Sequence, residues 1–263
     1  MTGTIPAELF GLSNLWYLDL AWNQLTGAIP IEMGSLVNLN YLKLSDNQLS
    51  GDVPASFTNL TDLCVTGEND CSSYGLDLGY NRFNVPAPEP PASFLAIKDP
   101  DWYLTQAVTQ TIPGAIGGTI ISNDGNTEAL IPPGAVEGDI TFTFAPQSSL
   151  NNATGSLSFA GNSFALTAED DLGIPVTTFG IPITLTIDYD DSILGDIAED
   201  TLRLYYWDIG TLAWQDAVTT CTGGVYTRDL DANWLSLPIC HLSEFALLMG
   251  ELPYTTYLPL IIH

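Results

Sequence analysis

Basic residues are the scarcest feature of this 263-residue chain. Five lysines and arginines stand against 31 aspartates and glutamates, which gives a net charge of −26 at pH 7. Nucleic acids and anionic membranes are bound through Lys and Arg side chains that neutralise phosphates, so this balance excludes both as partners. Long apolar runs are missing as well, since residues 245–249 and 257–262 are far shorter than a membrane-spanning helix of about 20 residues. We therefore expect no membrane insertion.

The common catalytic and cofactor motifs are also missing. The chain has no phosphate-binding glycine loop, no HExxH zinc motif and no nucleophile elbow. Two acidic runs, 169–171 and 188–191, are rich in oxygen ligands but match no calcium signature, and solvated turns are the simpler interpretation. We expect no cofactor and no bound metal ion.

Cysteine is sparse and falls into two local pairs, Cys64 with Cys71 and Cys221 with Cys240. Neither pair has a CxxC spacing or the histidines that a zinc site needs. Two disulfides in an oxidising compartment are the favoured interpretation, which indicates an extracellular or cell-surface protein. Four reduced, buried thiols in a cytosolic protein remain the alternative.

The strongest positive signal is a repeat in the first third of the chain. A Gly-x-Ile/Val-Pro step begins at Gly3, Gly27 and Gly51, so it recurs every 24 residues. Leucines and asparagines between these steps follow an LxxLxLxxNxL pattern, which is the mark of a leucine-rich-repeat solenoid. Solenoids serve mostly as binding surfaces.

The full pattern, LxxLxLxxNxLxGxIPxxLGxL, resembles the plant-type leucine-rich repeats, which also occur in bacterial surface proteins. The resemblance implies that each LxL is a short parallel strand on the concave face. It also implies that the asparagines form a ladder to the backbone and that the Gly-x-Ile-Pro step adds a second strand or turn. Ten extra residues separate Asn47 from Asn81 and surround Cys64 and Cys71, so that disulfide is expected to pin a bulging loop. Because the chain opens within a repeat, with no cap and no visible secretion signal, we expect further repeats and a signal upstream.

The predicted fold class is mainly β: a leucine-rich-repeat solenoid fragment, then an antiparallel β-sandwich region. Residues 1–86 are assigned to the solenoid. Residues 87–116 form a proline-rich linker, extended near its prolines, or a cap that packs on the solenoid end. From 117 to 250 apolar and polar residues alternate over short runs bounded by turn residues, which is typical of sandwich strands. Residues 251–263 are expected to form a C-terminal strand or tail.

Two resemblances concern the second region. The sequence Gly117-Gly118-Thr119-Ile120, the core Ile131-Pro132-Pro133-Gly134-Ala135 and the strand Ile140-Thr141-Phe142 resemble the ZU-type domain of zonula occludens scaffolds, ankyrins and netrin receptors. This resemblance covers about 117–170 and implies that 171–250 supplies a companion sheet or domain. The YLPL-type tail resembles the ends of secreted proteins in filamentous Chloroflexota, which indicates a bacterial source.

The run Cys240 to Met249, CHLSEFALLM, resembles the self-cleavage site of adhesion-receptor GAIN domains and of self-cleaving ZU-type domains. It implies that the Ser243 hydroxyl attacks the Leu242 carbonyl, with His241 as general base and backbone strain at the bond. One cysteine of the family pattern is missing and the other is shifted by one. The alternative is a plain core strand whose alternate residues Phe245, Leu247 and Met249 are buried.

The register of the repeats predicts a ligand face. Residues beside the strand leucines point outward and stack in columns at about 4.8 Å, so that Asp19, Lys43 and Asp77 are expected to form a charge ladder. The predicted ligand-binding residues are Trp16, Tyr17, Asp19, Trp22, Tyr41, Lys43, Asp46, Asp77 and Tyr80. The alternative is that these aromatics only cover the solenoid edge or contact other repeats.

The sequence thus predicts an extracellular binding or adhesion protein that recognises a protein or carbohydrate ligand. Two alternatives stay open. One is a self-cleaving module at Leu242–Ser243, which would be the chain's only enzymatic activity. The other is a structural subunit that self-associates through the tail or the solenoid end, since an unpaired apolar strand is a docking edge.

Overall fold

The protein forms two compact units in the computed structural model. The structure describes residues 1–66, 71, 73–87, 89–150, 152–154, 157–194 and 198–249. The first unit, which we call the solenoid unit, comprises Met1–Thr111, Ile120–Asn126 and Thr141–Ser148. The second, which we call the sandwich unit, comprises Ile112–Thr119, Thr127–Ile140 and Ser149–His263. The tail 251–263 lies outside the described residues.

Short parallel strands build the solenoid unit. They are β1 (Thr2–Gly3), β2 (Tyr17–Asp19), β3 (Gln24–Gly27), β4 (Tyr41–Lys43), β5 (Gln48–Gly51), β6 (Leu76–Asp77) and β7 (Arg82–Phe83). Strands β2, β4 and β6 form one parallel sheet in that order, and β1, β3, β5 and β7 form another. Three 3₁₀ helices, Ala7–Gly11, Ile31–Ser35 and Ala55–Asn59, each follow the proline of a Gly-x-Ile/Val-Pro step. The predicted solenoid, with one strand at each LxL and a second at each glycine step, is confirmed.

The repeat leucines fill the interior of this unit. Leu18 pairs in register with Leu42 and Leu42 with Leu76, and all three are buried. Met33 and Phe57, one from each of the last two 3₁₀ helices, are fully buried in the same core. Leucine at every LxL position therefore sets the inner face, and the residues on either side are left outside.

An amide ladder closes the turns of the solenoid. The Asn47 side chain accepts a hydrogen bond from Leu25 N at 3.0 Å and donates to the carbonyls of Leu20, Leu44 and Ser45. Asn81 repeats this arrangement one turn later, where it accepts from Leu49 N at 3.0 Å. These side chains satisfy buried backbone groups that the short strands leave unpaired. The ladder implied by the repeat resemblance is present.

The segment 87–116 is not an extended linker. It contains helix α1 (Pro91–Lys98) and the 3₁₀ helix Trp102–Thr105. Leu95 and Trp102 are buried in the core of the solenoid. Proline is tolerated in the first turn of a helix, where its missing N–H costs nothing, so the prolines start this helix instead of preventing it.

Gln106 shows how this segment ends the solenoid. Its side chain accepts from Phe83 N at 3.1 Å and donates to Leu78 O at 3.1 Å and Trp102 O at 2.7 Å. A glutamine thus takes the place of the next asparagine in the ladder. We call residues 91–106 the cap, because Leu95 and Trp102 pack in the solenoid core and Gln106 bonds to the last repeat.

The remaining strands are longer and antiparallel. They are β8 (Val108–Pro113), β9 (Gly118–Ile121), β10 (Thr127–Ile131), β11 (Asp139–Pro146), β12 (Ser158–Glu169), β13 (Thr178–Asp188), β14 (Arg203–Asp208), β15 (Ala213–Asp216), β16 (Thr227–Asp229), β17 (Trp234–His241) and β18 (Glu244–Met249). Within the sandwich unit, β16, β17, β13 and β10 lie side by side, as do β15, β14, β18 and β12. Short 3₁₀ helices span Asp191–Ile193, Glu199–Thr201 and Ala217–Thr220. The predicted antiparallel sandwich region is confirmed.

Strand β18 differs from the alternating burial that its sequence suggested. Every residue from Phe245 to Met249 is buried, including Ala246 and Leu248. Those two residues pack in a second core cluster with Leu157, Tyr205 and Trp214. Both faces of the strand are therefore covered, which alternation within one strand cannot reveal.

Both predicted disulfides form. Cys64 is bonded to Cys71 and Cys221 to Cys240, across sequence separations of 7 and 19 residues. None of the helices within the described ranges is long and apolar enough to span a membrane.

Candidate recognition surface

Three columns of outward residues were expected beside the repeat leucines, and two of them lie on strands. Tyr17 stands in register with Tyr41, Asp19 with Lys43, and Lys43 with Asp77. Their common neighbour Leu42 is fully buried, so the flanking side chains project away from the core. We call the set Trp16, Tyr17, Asp19, Tyr41, Lys43 and Asp77 the strip.

Aromatic rings dominate one end of the strip. The ring centroids of Trp16 and Tyr17 are 5.8 Å apart, and those of Tyr17 and Tyr41 are 5.7 Å apart, both pairs tilted. Trp16 is 61% and Tyr17 44% exposed. Rings at these separations attract one another, so the row is ordered while its outer surface faces solvent.

The charged residues of the strip do not form the expected ladder of ion pairs. The Lys43 ammonium donates to the Tyr74 carbonyl at 2.9 Å and makes no ion pair with Asp19 or Asp77. Asp19 instead accepts from the Tyr17 hydroxyl at 3.2 Å and from Ala21 N at 3.0 Å. Its hydrogen bond, followed by its negative charge, raises the pKa of Tyr17, because both favour the protonated phenol.

The third expected column lies on turns and not on strands. Trp22, Asp46 and Tyr80 have φ values of 57°, 56° and 53°, which place each residue in the left-handed region after its strand. Trp22 is 65% exposed, while the other two are half-buried. Burial raises the pKa of both Asp46 and Tyr80. The Asp46 carboxylate also accepts a hydrogen bond from the Ser148 hydroxyl, so this column is partly covered within its own unit.

A pocket of about 410 Å³ adjoins the strip. Trp16 and Tyr41 line it together with Asn40, Asp62 and Lys98. The Lys98 ammonium donates to the carbonyls of Thr61, at 3.2 Å, and Leu63. The Asn40 amide donates to the Asp62 carbonyl at 2.9 Å.

Sequence reasoning missed this pocket. Its walls come from two repeats, the inserted loop and the cap helix, which are far apart along the chain. The ten-residue insertion with its cysteine pair was the one signal that pointed there.

Gly75 follows Tyr17 and Tyr41 in the same column, at a position that only glycine can occupy. An added Cβ would lie 2.1 Å from the Asn40 carbonyl oxygen and 2.5 Å from Cys64 N. The backbone of the insertion therefore approaches β6 too closely for any side chain. This packing fixes where the pocket wall begins.

The cap also holds a half-buried carboxylate close enough to Asp77 and Lys43 of the strip to interact with their charges. Asp99, which ends helix α1, accepts from Leu78 N at 2.7 Å. The pKa of Asp99 is raised to about 7, chiefly by burial and in part by nearby Asp77, although the hydrogen bond from Leu78 N and the charge of Lys43 act to lower it. Asp77 is engaged from two sides, since it accepts from the Ser45 hydroxyl at 2.9 Å and Gly79 N at 3.3 Å.

Of the proposed self-cleavage residues, His241 ends β17, and Leu242 and Ser243 form the short connection to β18. The Ser243 hydroxyl donates to the Trp207 carbonyl at 2.9 Å, and not to His241. His241 Nδ1 lies 3.4 Å from the Leu242 carbonyl oxygen, and its ring packs edge-on to Tyr206 at 4.5 Å. Neither Leu242 nor Ser243 has a positive φ or a cis peptide bond. The nucleophile and the base are close in sequence but not joined by the hydrogen bond that activation requires.

Side chains that could bind a metal ion are dispersed in the described residues. Within the part of the chain that the structure describes, no group of three or more His, Cys, Asp or Glu residues is arranged to hold a metal ion. Asp170, in the first acidic run, caps its own turn by accepting from Leu172 N and Ile174 N.

Comparison with known proteins finds the repeats. The family described as Leucine Rich Repeat matches residues 14–36 and 38–60. Among curated proteins, no sequence matches this chain. The matched part lies inside the solenoid unit and includes the strip from Trp16 to Lys43.

Solved structures with similar segments include several plant proteins. The BIR3–SERK2 complex from Arabidopsis thaliana is 34% identical over 34% of this chain and 42% of its own, with a TM-score of 0.29. The BIR2 ectodomain from Arabidopsis thaliana is 34% identical over 32% of this chain and 38% of its own, with a TM-score of 0.27. The ectodomain of the Arabidopsis receptor kinase HAESA, in complex with an IDA peptide, is 40% identical over 31% of this chain and 12% of its own, with a TM-score of 0.26. The chain spans less than half the length of each of these proteins.

Proposed function

We propose that this chain is an extracellular recognition protein whose solenoid unit binds a protein ligand through the strip and its adjoining pocket. The observation that carries the proposal is the row of three aromatic rings, exposed Trp16 and Tyr17 and half-buried Tyr41, at the β2–β4–β6 sheet. Exposed apolar residues gathered in one place mark interaction sites more often than scattered ones do.

The composition of the strip favours a polypeptide over a sugar. Tyrosine and tryptophan are enriched at the centres of protein interfaces, where they bury much area for little loss of side-chain entropy. The strip sets such residues beside an exposed carboxylate, Asp19, and an ammonium, Lys43, which offer directed polar contacts. The pocket next to it offers a place for one protruding side chain.

The extracellular location rests on the two disulfides. Such bonds persist in oxidising compartments and are rare in the cytosol. A bacterial cell surface, with a ZU- or GAIN-like sandwich unit, is the finer form of this proposal and rests on the sequence resemblances alone. Self-association through residues 251–263 is likewise a proposal from the sequence alone. That tail lies outside the described residues.

Peptide selection tests the proposal. The intact, oxidised chain is immobilised, and a phage-displayed random peptide library is selected against it, while a glycan array is probed in parallel. Selected peptides are then measured against the double variant Tyr17→Ala/Tyr41→Ala and against Tyr103→Ala, which removes an equally exposed tyrosine from the cap. We expect the double variant to weaken binding at least tenfold and the control to leave it unchanged.

Equal binding by both variants would overturn the assignment of the strip. Binding to glycans alone, lost in the same double variant, would keep the surface but replace the ligand class. Self-cleavage is not supported as a second function, because the Ser243 hydroxyl is engaged by Trp207.

A further inference from the structure

We infer that Asp19 and the rings of Trp16, Tyr17 and Tyr41 form a site for a cationic side chain, lysine or arginine, of the protein ligand. This inference rests on the proposed function and specifies its chemistry. We call these four residues the cation site.

The aromatic part of the site has the geometry that attracts cations. Two successive ring pairs have centroids 5.8 Å and 5.7 Å apart and are tilted, and two of the three residues, Trp16 and Tyr17, are exposed to solvent. The faces of aromatic rings carry partial negative charge, and a cation within about 6 Å of a ring centroid is attracted by about 0.5–2 kcal/mol. Tryptophan gives the strongest interaction of this kind, and Trp16 is the most exposed of the three rings.

The carboxylate part of the site lacks a cationic partner. Asp19 is exposed and accepts only from the neutral Tyr17 hydroxyl and the Ala21 amide. Lys43 stands beside it in register but directs its ammonium to the Tyr74 carbonyl. Among the residues that the structure describes, no cation pairs with Asp19, so its charge stays uncompensated beside the aromatic row.

The other carboxylates nearby are engaged differently. Asp77 accepts from the Ser45 hydroxyl and Asp46 from the Ser148 hydroxyl, and both residues are half-buried. Asp19 alone of the three is both exposed and held next to the rings by a hydrogen bond from one of them. A cation that stacks on Tyr17 would therefore reach this carboxylate.

The charge of the whole chain favours the same class of ligand. A net charge of −26 attracts basic partners and repels acidic ones over distances of about a Debye length. This long-range attraction acts over the whole surface. The test of the cation site therefore has to separate specific binding there from nonspecific binding of basic peptides.

The experiment uses the intact chain labelled with 5-fluorotryptophan, whose Trp16 signal is assigned by Trp16→Phe. The probes are the peptides Ac-Gly-Arg-Gly-Arg-Gly-NH2 and Ac-Gly-Glu-Gly-Glu-Gly-NH2, titrated at physiological salt and followed by ¹⁹F NMR. We expect the arginine peptide to shift the Trp16 signal in a saturable way and the glutamate peptide to leave it unmoved.

Three variants separate the site from the background charge. Asp19→Asn should lower the affinity for the arginine peptide, measured at the Trp16 signal, about five- to tenfold. Glu32→Gln, which removes the same charge from an exposed 3₁₀-helix position, should change the affinity less than twofold. Lys43→Met removes the neighbouring positive charge, which repels the arginine peptide, and should strengthen binding about two- to threefold.

Equal losses in Asp19→Asn and Glu32→Gln, or weaker binding in Lys43→Met, would overturn the inference. The outcome is distinct from failure of the proposed function. If library-selected peptides bind through Tyr17 and Tyr41 but are indifferent to Asp19→Asn, the strip recognises ligands and the cation site is wrong. If no selected ligand depends on the tyrosines, the proposed function itself has failed.

Discussion

The two units of this protein are stabilised in different ways. In the solenoid unit, strands of two to four residues pair in parallel, and the buried amides of Asn47, Asn81 and Gln106 link one turn to the next. In the sandwich unit, strands of up to 12 residues pair in antiparallel fashion, and β18 is covered on both faces. The first is built from near-neighbour contacts, while the second depends on strands that are distant in sequence.

This difference determines where function can be assigned. Repetition fixes the register of the solenoid, so each outward residue of the strip is known once one LxL is placed. In the sandwich unit, side-chain directions depend on pairings that no local pattern specifies. The predictions below test the contrast between a stack of repeats and a single cooperative core.

Loss of one ladder amide should have the largest effect. Asn47→Ala leaves Leu25 N without a partner in a buried setting and removes the hydrogen bonds that Asn47 donates to the carbonyls of Leu20, Leu44 and Ser45. An unsatisfied buried group costs about 1–3 kcal/mol, and each further hydrogen bond lost costs about 1 kcal/mol. We expect a loss of about 4 kcal/mol. Hydrogen exchange should rise first in the repeats on either side of Asn47. Asn38→Ala, which removes one exposed hydrogen bond to Ser13, is the matched control, and an equal loss there would contradict the ladder.

Removal of a large side chain from the second core cluster should come next. Trp214→Ala deletes a side chain that is 3% exposed and packs with Tyr205 and Leu248, and such truncations cost about 3 kcal/mol. Because this cluster covers β18, we expect faster exchange in β12, β14 and β18 together. Faster exchange in β15 alone would show that the unit is not one cooperative core. The exposed Leu212→Ala should change stability by less than about 0.5 kcal/mol.

The half-buried Asp99 carboxylate of the cap should make the stability of the fold depend on pH. The pKa of Asp99 rises from its ordinary value of 3.8 to about 7 on folding, so the folded state binds the proton more tightly than the unfolded state. The stability that this group contributes is therefore fully present below pH 4 and is lost as pH rises to about 7. Asp77 and Asp101 strengthen the shift, and Lys43 opposes it.

Asp99→Asn tests this directly. The amide oxygen can still accept from Leu78 N, but it carries no charge to desolvate. We expect the variant to be about 2 kcal/mol more stable than the natural chain at pH 8, and the difference to vanish near pH 4. Urea unfolding followed in the segment 91–106 measures it, with Asp101→Asn as the control. If the difference in unfolding free energy between Asp99→Asn and the natural chain were the same at every pH, the burial of this charge would be contradicted.

The smallest expected effect concerns Leu242–Ser243. Because the Ser243 hydroxyl donates to Trp207 and not to His241, we expect the intact mass of the chain to stay constant for days at neutral pH. Ser243→Ala should give the same single species. A pair of fragments that meet between residues 242 and 243, absent from Ser243→Ala, would establish self-cleavage.

Much of the solenoid could be predicted from the sequence, because its pattern is repeated and each repeat is a local unit. The register of Tyr17 with Tyr41 and of Asp19 with Lys43 followed from the 24-residue period. The destination of Lys43 did not, since the Tyr74 carbonyl that it contacts belongs to the irregular third unit. The turn position of Trp22 was likewise hidden, because left-handed backbone at a tryptophan has no sequence signature of its own.

The structures of the cap and of the pocket were harder to predict from the sequence, for a different reason. The prolines of 86–91 suggested extended chain, yet Pro91 begins helix α1, and Leu95 of this helix is buried in the solenoid core together with Trp102. The pocket beside the strip joins Trp16 to Lys98, which only the folded chain brings together. Long-range packing decided both features, and no window of sequence contains it.

Hydrogen exchange on a complex with a selected peptide tests the central claim most directly, that recognition lies in the strip. The account predicts that the bound peptide protects segments 16–19 and 41–43 and leaves segments 203–208 and 234–249 at the exchange rates of the free chain. Protection confined to the sandwich unit, with 16–19 and 41–43 unchanged, would contradict it.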